Sequence, residues 1–170
     1  MNQESFESIV RRYQEPVISI IYKMTGNREN AYDLAQDVFL RLWTKQIKID
    51  RETNVFTYLY RAAMNAAIDY LRRTRPQRFD DVESYPFETG IMIPSNELYE
   101  LIIKCAQSLK PKQRAVFLLR DVEGFDFAEI ARILNRPVSN LRSNLHLARK
   151  NIRHLLRTRY QITEEQLYEV

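Results

Sequence analysis

Glycine and cysteine are scarce in this chain, which has three glycines and one cysteine among 170 residues. Phosphate-binding loops need glycines at close spacing, and Gly26, Gly90 and Gly124 lie far apart, so nucleotide-binding folds are excluded. Cys105 alone allows no disulfide within the chain, and the two scattered histidines add no pattern of metal ligands. No nucleophile–histidine–acid set stands out either. The sequence therefore predicts a protein that is not an enzyme and that has no cofactor or metal.

Long apolar runs are also missing, and no stretch is apolar over the roughly 20 residues needed to cross a bilayer. No secretion leader is recognisable, so we expect a cytoplasmic protein. Apolar residues recur at steps of three and four, the period of a helix, and no convincing alternating strand occurs. We therefore predict an all-α fold, with two small helical domains joined by an acidic flexible linker. The net charge of +4 and the pI of about 9.2 favour an anionic partner.

Residues 126–149 have the pattern of a helix-turn-helix. Asp126 is a suitable N-cap, and Glu129 three residues later completes a capping box. Asn135 stands at the turn, since asparagine tolerates the left-handed conformation better than most residues. Pro137 prevents the first helix from continuing, and we expect Ser139 to cap the second.

The second helix of this motif has an apolar face and a basic face. The apolar face consists of Leu141, Leu145, Ala148, Ile152 and Leu155. The basic face consists of Arg142, His146, Arg149, Arg153 and Arg157. No Asp or Glu occurs between Glu129 and Glu164. An uninterrupted basic face at this place indicates a DNA-binding helix, and a solvated face on an ordinary helical hairpin is the alternative.

The first half of the chain predicts two helices before residue 45. The first covers residues 3–25, and Pro16 is expected to break or kink it. The second runs from about 27 to 44 and directs Trp43 inward with Leu42. Its outward side carries Asp33, Gln36, Asp37 and Leu40. A leucine exposed beside carboxylates and an amide makes this a candidate protein-docking stripe, and a solvated face with one stray leucine is the alternative.

A third helix is predicted from about Val55 to Arg73. Its polar side carries Arg61, Asn65, Asp69 and Arg72, with Tyr58 and Tyr60 nearby. Basic residues interleaved with aromatic rings and an amide suit unstacked bases, which need a stacking surface and a hydrogen-bonding edge. The alternative is again a polar helix face.

Residues 76–94 have three prolines, and four carboxylates against one arginine, which predicts a linker. A helix from Ser95 to about Ser108 follows, and Pro111 begins another in which Arg114 is expected to face water. The expected organisation is therefore a first domain at residues 1–75, a linker at 76–95, a second domain at 96–158 and a tail at 159–170.

Three of these segments, in this order, carry a family resemblance. They are AYDLAQDVFLRLW (31–43), FTYLYRAAMNAAIDYLRR (56–73) and SLKPKQRAVFLLRDVEGFDFAEIARIL (108–134). Together with the basic helix they resemble the extracytoplasmic-function (ECF) sigma factors, two-domain specificity subunits of bacterial RNA polymerase. The resemblance implies a protein that is monomeric when free, binds core polymerase and promoter DNA, and is a candidate target of an anti-sigma factor.

The resemblance also implies a role for individual positions. The docking stripe, Asp33, Gln36, Asp37 and Leu40, is similar to the surface that binds core polymerase. The positions implied to contact the minus-ten element are Lys45, Ile49, Tyr58, Arg61, Asn65, Asp69, Arg72 and Arg73. The positions implied to contact the minus-thirty-five element are Arg136, Ser139, Arg142, Ser143, His146 and Arg149. Asn144 and Leu147 depart from the family, which often has arginine at both positions.

One other class of protein fits the same helical pattern. A dimeric helix-turn-helix regulator with a helical sensor domain would bind duplex DNA without polymerase. Such a regulator should dimerise and bind a palindrome alone, whereas a sigma factor should be monomeric and require core polymerase.

Overall fold

The computed structural model describes residues 3–44, 55–74 and 95–162. The helices are α1 Gln3–Thr25, α2 Arg28–Thr44, α3 Val55–Arg73, α4 Ser95–Gln107, α5 Pro111–Phe117, α6 Phe127–Leu134 and α7 Val138–Arg159. A π-helical turn, Leu118–Val122, continues α5. No strand occurs in these ranges, so the prediction of an all-α fold is confirmed. None of the described helices is long and apolar enough to cross a membrane.

Helices α1, α2 and α3 pack together as a first unit. Its fully buried side chains are Val17, Ile20, Ile21 and Met24 of α1, Ala31, Ala35, Val38 and Leu42 of α2, and Leu59, Ala63, Met64 and Ala67 of α3. Of the break or kink predicted at Pro16, the break is wrong, because α1 continues through this residue. Proline costs a helix about 3 kcal/mol. Val17 on one side of it is fully buried and Tyr13 on the other is half-buried, so tertiary packing offsets that cost.

Trp43 does not face inward as predicted. It is 42% exposed, whereas Phe39 of the same helix is 7% exposed. Trp43 lies one turn after Phe39 and one residue before the end of α2, where the core of the first unit no longer covers this side of the helix. The Trp43 ring lies against Phe6 of α1, with ring centroids 4.9 Å apart.

Helices α4 to α7 form a second unit that contains the helix-turn-helix. The capping box is confirmed, since Glu129 N–H donates to Asp126 Oδ1 at 2.7 Å and Asp126 N–H donates to Glu129 Oε2 at 2.9 Å. Asn135 is left-handed as predicted, with φ 51° and ψ 54°. The prediction that Ser139 caps α7 is wrong. Pro137 occupies the N-cap and its carbonyl accepts from Asn140 N–H at 3.0 Å, so Ser139 lies within the first turn.

Arg114 is buried, which corrects the prediction that it faces water. It is 5% exposed, and its guanidinium donates to the carbonyl oxygens of Met24, Gln107 and Leu109. Two of these carbonyls belong to the last turns of α1 and α4, where carbonyls lack partners within their own helix. The cation therefore satisfies acceptors at two helix ends, while burial lowers its pKa to about 10.

The two units are in direct contact. Lys23 of α1 forms an ion pair with Glu123 at 2.7 Å, and both side chains are about one-fifth exposed. The Phe125 ring meets Phe56 and Tyr60 of α3 edge-on, with centroids 5.2 and 5.3 Å away. Because α3 also packs on α6, the helix-turn-helix lies against the first unit.

Candidate functional site

The docking stripe lies on the outward side of α2. Asp33, Gln36 and Asp37 are exposed, and Leu40 is 58% exposed. The opposite side of α2 is buried in the core of the first unit. The structure therefore brings the four predicted residues together on an accessible surface.

An apolar groove adjoins this stripe, which the sequence reasoning missed. The groove lies between α1 and α2, has a volume of about 670 Å³ and is lined by residues that include Phe6, Val10, Phe39, Leu40 and Trp43. Trp43 at one end and Leu40 in the stripe are both substantially exposed. The helical period places Trp43 on the same side as the buried Phe39, so the sequence contained no signal for its exposure.

The candidate minus-ten residues of α3 have differing environments. Arg61, Asn65, Arg72 and Arg73 are exposed, and Arg72 pairs with the half-exposed Asp69 at 3.2 Å. Tyr58 is half-buried, and burial raises its pKa. Lys45 and Ile49 lie outside the described residues.

Two residues of α3 are already engaged elsewhere in the molecule. The Arg61 guanidinium donates to the Arg132 carbonyl oxygen of α6 at 2.5 and 3.1 Å. Tyr60, which the sequence placed near the basic end as a possible stacking surface, is 3% exposed. Burial raises its pKa to about 12. Its ring belongs to the contact between the units and offers no open surface to a base.

The candidate minus-thirty-five residues lie together on the outer side of the helix-turn-helix. Arg136, Ser139, Arg142, Ser143, His146 and Arg149 are all exposed. The buried side of α7 consists of Leu141, Leu145, Ala148, Ile152 and Leu156. Leu155, predicted to face inward, is only half-buried, so the inner stripe ends one residue later than predicted.

Three of these exposed side chains have contacts within the second unit. The guanidinium carbon of Arg142 lies 5.4 Å from the centroid of the Phe127 ring. Ser143 Oγ donates to the Ser139 carbonyl at 3.1 Å. Arg149 forms a bidentate ion pair with Asp121, at 2.6 and 2.7 Å. The structure therefore places an acid from outside the motif beside a helix face that appears uninterruptedly basic in the sequence.

Comparison with known proteins identifies the family. The Sigma-70 region 2 model matches residues 9–77, and the Sigma-70 region 4 model matches residues 99–152. The chain is 30% identical over 170 residues to the ECF RNA polymerase sigma factor SigW of Bacillus subtilis, covering 92% of this chain and 91% of that protein. It is also 30% identical over 165 residues to the ECF RNA polymerase sigma-E factor of Escherichia coli K12, covering 89% and 86%. The chain belongs to the ECF family of RNA polymerase sigma factors.

Solved structures share the fold of this sigma factor. The sigma factor RpoE in complex with the anti-sigma factor NepR from Bartonella quintana gives a TM-score of 0.68 at 20% identity, covering 91% of this chain and 98% of that one. CnrH in complex with the cytosolic domain of CnrY gives 0.67 at 19% identity, covering 91% and 89%. As a sigma factor the protein acts in transcription initiation and is not an enzyme. The alternative of a dimeric regulator that acts without polymerase finds no support in these relatives.

Proposed function

We propose that this sigma factor binds core RNA polymerase through the outward face of α2 and promoter DNA through α3 and α7. The exposure of Leu40 carries the first part of the proposal. A leucine 58% exposed among Asp33, Gln36 and Asp37 has no role in the core of the first unit, and exposed apolar groups beside polar ones are typical of protein interfaces.

Trp43 and the adjoining groove extend this docking surface. Tryptophan is among the residues that contribute most to binding energy at interfaces, provided that it enters a desolvated pocket. Trp43 is held against Phe6 rather than moving freely, so little side-chain entropy is lost on binding. The partner that fits is a helix with apolar side chains for the groove and basic ones for Asp33 and Asp37.

The DNA contacts are assigned to the two units separately. We propose residues 1–75 as the polymerase and minus-ten domain, 76–95 as the linker, 96–158 as the minus-thirty-five domain and 159–170 as the tail. In the first domain, the exposed Asn65 and Arg72 suit the single-stranded minus-ten bases. In the second, the first turns of α7 enter the major groove, as recognition helices of this motif do.

A regulatory partner and a location follow from this proposal. Two structural neighbours were solved in complexes, one with the anti-sigma factor NepR and one with the cytosolic domain of CnrY. On that basis we propose that an anti-sigma factor binds this chain as well. A protein that works on promoter DNA belongs in the cytoplasm.

Binding to core polymerase tests the α2 assignment. Asp37→Arg and Leu40→Glu should each weaken the affinity at least about tenfold, since a buried interface would receive a repelling or desolvated charge. Glu100→Arg is the matched control, because Glu100 is exposed on α4, outside the proposed surface. Titration of labelled protein with core polymerase measures the effect, and circular dichroism checks the fold. Equal affinity for the wild type and both α2 variants would reject the assignment.

A further inference from the structure

Asp121 and Arg149 form a short ion pair on the second unit. Arg149 Nε donates to Asp121 Oδ2 at 2.7 Å, and Nη2 donates to Oδ1 at 2.6 Å. Both carboxylate oxygens are therefore engaged by one guanidinium, in the parallel arrangement that fixes the relative orientation of the two groups. The Asp121 side chain is 22% exposed and that of Arg149 is 53% exposed.

The position of Asp121 gives this pair a structural role. It lies in the π-helical turn Leu118–Val122, in which Glu123 N–H donates to the Leu118 carbonyl at 2.9 Å. This turn ends the helical segment that α5 begins, just before the helix-turn-helix. Arg149 lies about three turns into α7, 28 residues later in the chain. The ion pair thus joins the middle of the recognition helix to the segment that precedes the motif.

A second contact joins the same two segments. Arg120, next to Asp121, lies over the Phe127 ring at 5.2 Å, and Arg142 of α7 lies over the same ring at 5.4 Å. Arg142 in the first turns and Arg149 further along are therefore both held by residues outside α7. The buried side of α7 holds the helix in the core of the second unit, and these two contacts fix its outer side as well.

The pair also changes the charge that α7 presents to DNA. A guanidinium paired bidentately with a carboxylate forms a unit of no net charge and has already used two of its five donors. A phosphate gains little by approaching it, because the nearby carboxylate repels the phosphate. Arg142 and His146 on the same helix are exposed and are not paired with a carboxylate in the described residues.

We propose that Arg149 is a positioning residue, whose ion pair with Asp121 sets the angle at which α7 enters the major groove. This inference rests on the proposed function of α7 in minus-thirty-five binding. It departs from the family resemblance, which assigns Arg149 to the DNA contacts themselves. The contacts to bases and phosphates then come from other residues of the motif.

The test compares holoenzymes reconstituted with five forms of the full-length chain. These are the wild type, Arg149→Ala, Asp121→Ala, the double alanine variant and the charge-swapped Asp121→Arg/Arg149→Asp variant. Two quantities are measured on a library of minus-thirty-five sequences: the ratio of transcription between the best and mismatched sequences, and the dependence of promoter affinity on salt.

We expect Arg149→Ala and Asp121→Ala to reduce discrimination by a similar factor, roughly three- to tenfold. The double variant should be no worse than either single one, and the charge swap should restore most of the discrimination. Arg149→Ala should leave the salt slope unchanged. Asp121→Ala should steepen it by up to about 0.9, the value for one additional phosphate contact, because Arg149 is then free to reach the backbone.

The opposite pattern would overturn the proposal. If Arg149→Ala lowers the salt slope by about 0.9 while Asp121→Ala preserves discrimination, Arg149 contacts DNA directly. A charge-swapped variant weaker than both single variants would contradict it as well, since an aspartate would then face a phosphate. Failure of the wild-type holoenzyme to recognise any promoter would instead reject the proposed function, so the two failures are distinguishable.

Discussion

Two aromatic residues of α2 are expected to have different roles, one in stability and the other in binding. Phe39 and Trp43 are both aromatic and one turn apart, yet only Phe39 is buried. Phe39→Ala should cost about 3–5 kcal/mol in the free energy of unfolding, the usual loss for a buried aromatic ring. Trp43→Ala should cost only about 1–2 kcal/mol, because nearly half of its surface already meets water. Urea unfolding of both variants measures the difference.

In binding to core polymerase, Trp43→Ala should have the larger effect of the two substitutions. Trp43→Ala should weaken it strongly, since the exposed ring is part of the proposed docking surface, whereas folded Phe39→Ala protein should lose less affinity, because Phe39 lines the groove but is only 7% exposed. Equal losses of stability in the two variants would contradict the orientation described for α2.

Arg114 is expected to stabilise the fold through hydrogen bonds rather than through apolar packing. Its guanidinium donates to the buried carbonyl oxygens of Met24 and Leu109 and to the part-buried one of Gln107, and removing it takes this donor from all three. Each unsatisfied buried acceptor costs about 1–3 kcal/mol, so Arg114→Ala should lower the free energy of unfolding by about 3 kcal/mol or more. Arg114→Lys should rescue little, because one ammonium lacks the planar fork that reaches all three acceptors. Thermal unfolding of both variants checks this, and full rescue by lysine would show that charge alone matters.

Cys105 should be chemically silent in the folded protein. It is 3% exposed, and burial raises the pKa of its thiol to about 11 from the ordinary value of 9.0. The reactive thiolate is therefore suppressed at pH 8. We expect no modification by iodoacetamide at that pH until denaturant is added, as measured by mass spectrometry. Above about pH 9 the thiol ionises in the unfolded protein but stays protonated in the folded protein. The free energy of unfolding should therefore fall as pH rises from about 9 towards 11. Rapid labelling of the native protein would contradict the burial.

At the scale of elements, two arginines of α7 should have different effects on promoter choice. Arg142 lies in the first turns, and Arg153 lies 11 residues later, about 16 Å along the helix. Arg142→Ala should change which minus-thirty-five sequences are used, because a lost base contact costs about 1–3 kcal/mol of discrimination. Arg153→Ala should weaken all promoters alike, through at most about one phosphate contact. Transcription across a minus-thirty-five library at two salt concentrations separates them, and the reverse pattern would mean that α7 docks by its other end.

Elements whose signals are local were predictable from the sequence. The capping box of α6 and the left-handed Asn135 depend on residues within one turn of each other, and both were confirmed. The predicted and observed bounds of α3, residues 55–73, also agree, because the apolar period of a helix is a local signal.

The features that could not be predicted depend on contacts between residues far apart in the sequence. Arg114 appears solvent-exposed in a helical pattern because its acceptor in α1, Met24, lies 90 residues earlier. The basic face of α7 appears uninterrupted because Asp121 lies outside the motif. Trp43 was likewise misplaced, because its exposure depends on where the packing of α1 against α2 ends and not on the period of its own helix.

At the scale of the whole molecule, the described conformation cannot contact both promoter elements. Arg61, a candidate minus-ten residue, is bonded to Arg132, and Arg142 is only ten residues further along the chain. Even a fully extended segment would separate Arg132 from Arg142 by no more than about 35 Å. The minus-ten and minus-thirty-five elements lie about 25 base pairs apart, or roughly 85 Å at 3.4 Å per base pair. If Arg61 and Arg142 contact these elements as proposed, the two units must separate when the protein binds a promoter.

Energy transfer between two dyes measures that separation. Cysteines introduced at Glu29 of α2 and Asn151 of α7 are both exposed, and the buried Cys105 stays unlabelled. Transfer efficiency should be high in the free protein and fall sharply in the promoter-bound holoenzyme. The variant Lys23→Glu should lower the efficiency of the free protein, because it replaces an ion pair between the units with two like charges. An efficiency that does not change on promoter binding would contradict the separation.

Transcription with purified core polymerase tests the central claim most directly. Core polymerase alone, core with the wild-type chain and core with Asp37→Arg are incubated with a library of randomised promoters, and the transcripts are sequenced. We expect defined start sites that appear only with the wild-type chain and share sequences near minus ten and minus thirty-five. If the isolated chain binds palindromic duplex DNA as a dimer, and its addition to core polymerase creates no new start sites, the account is wrong.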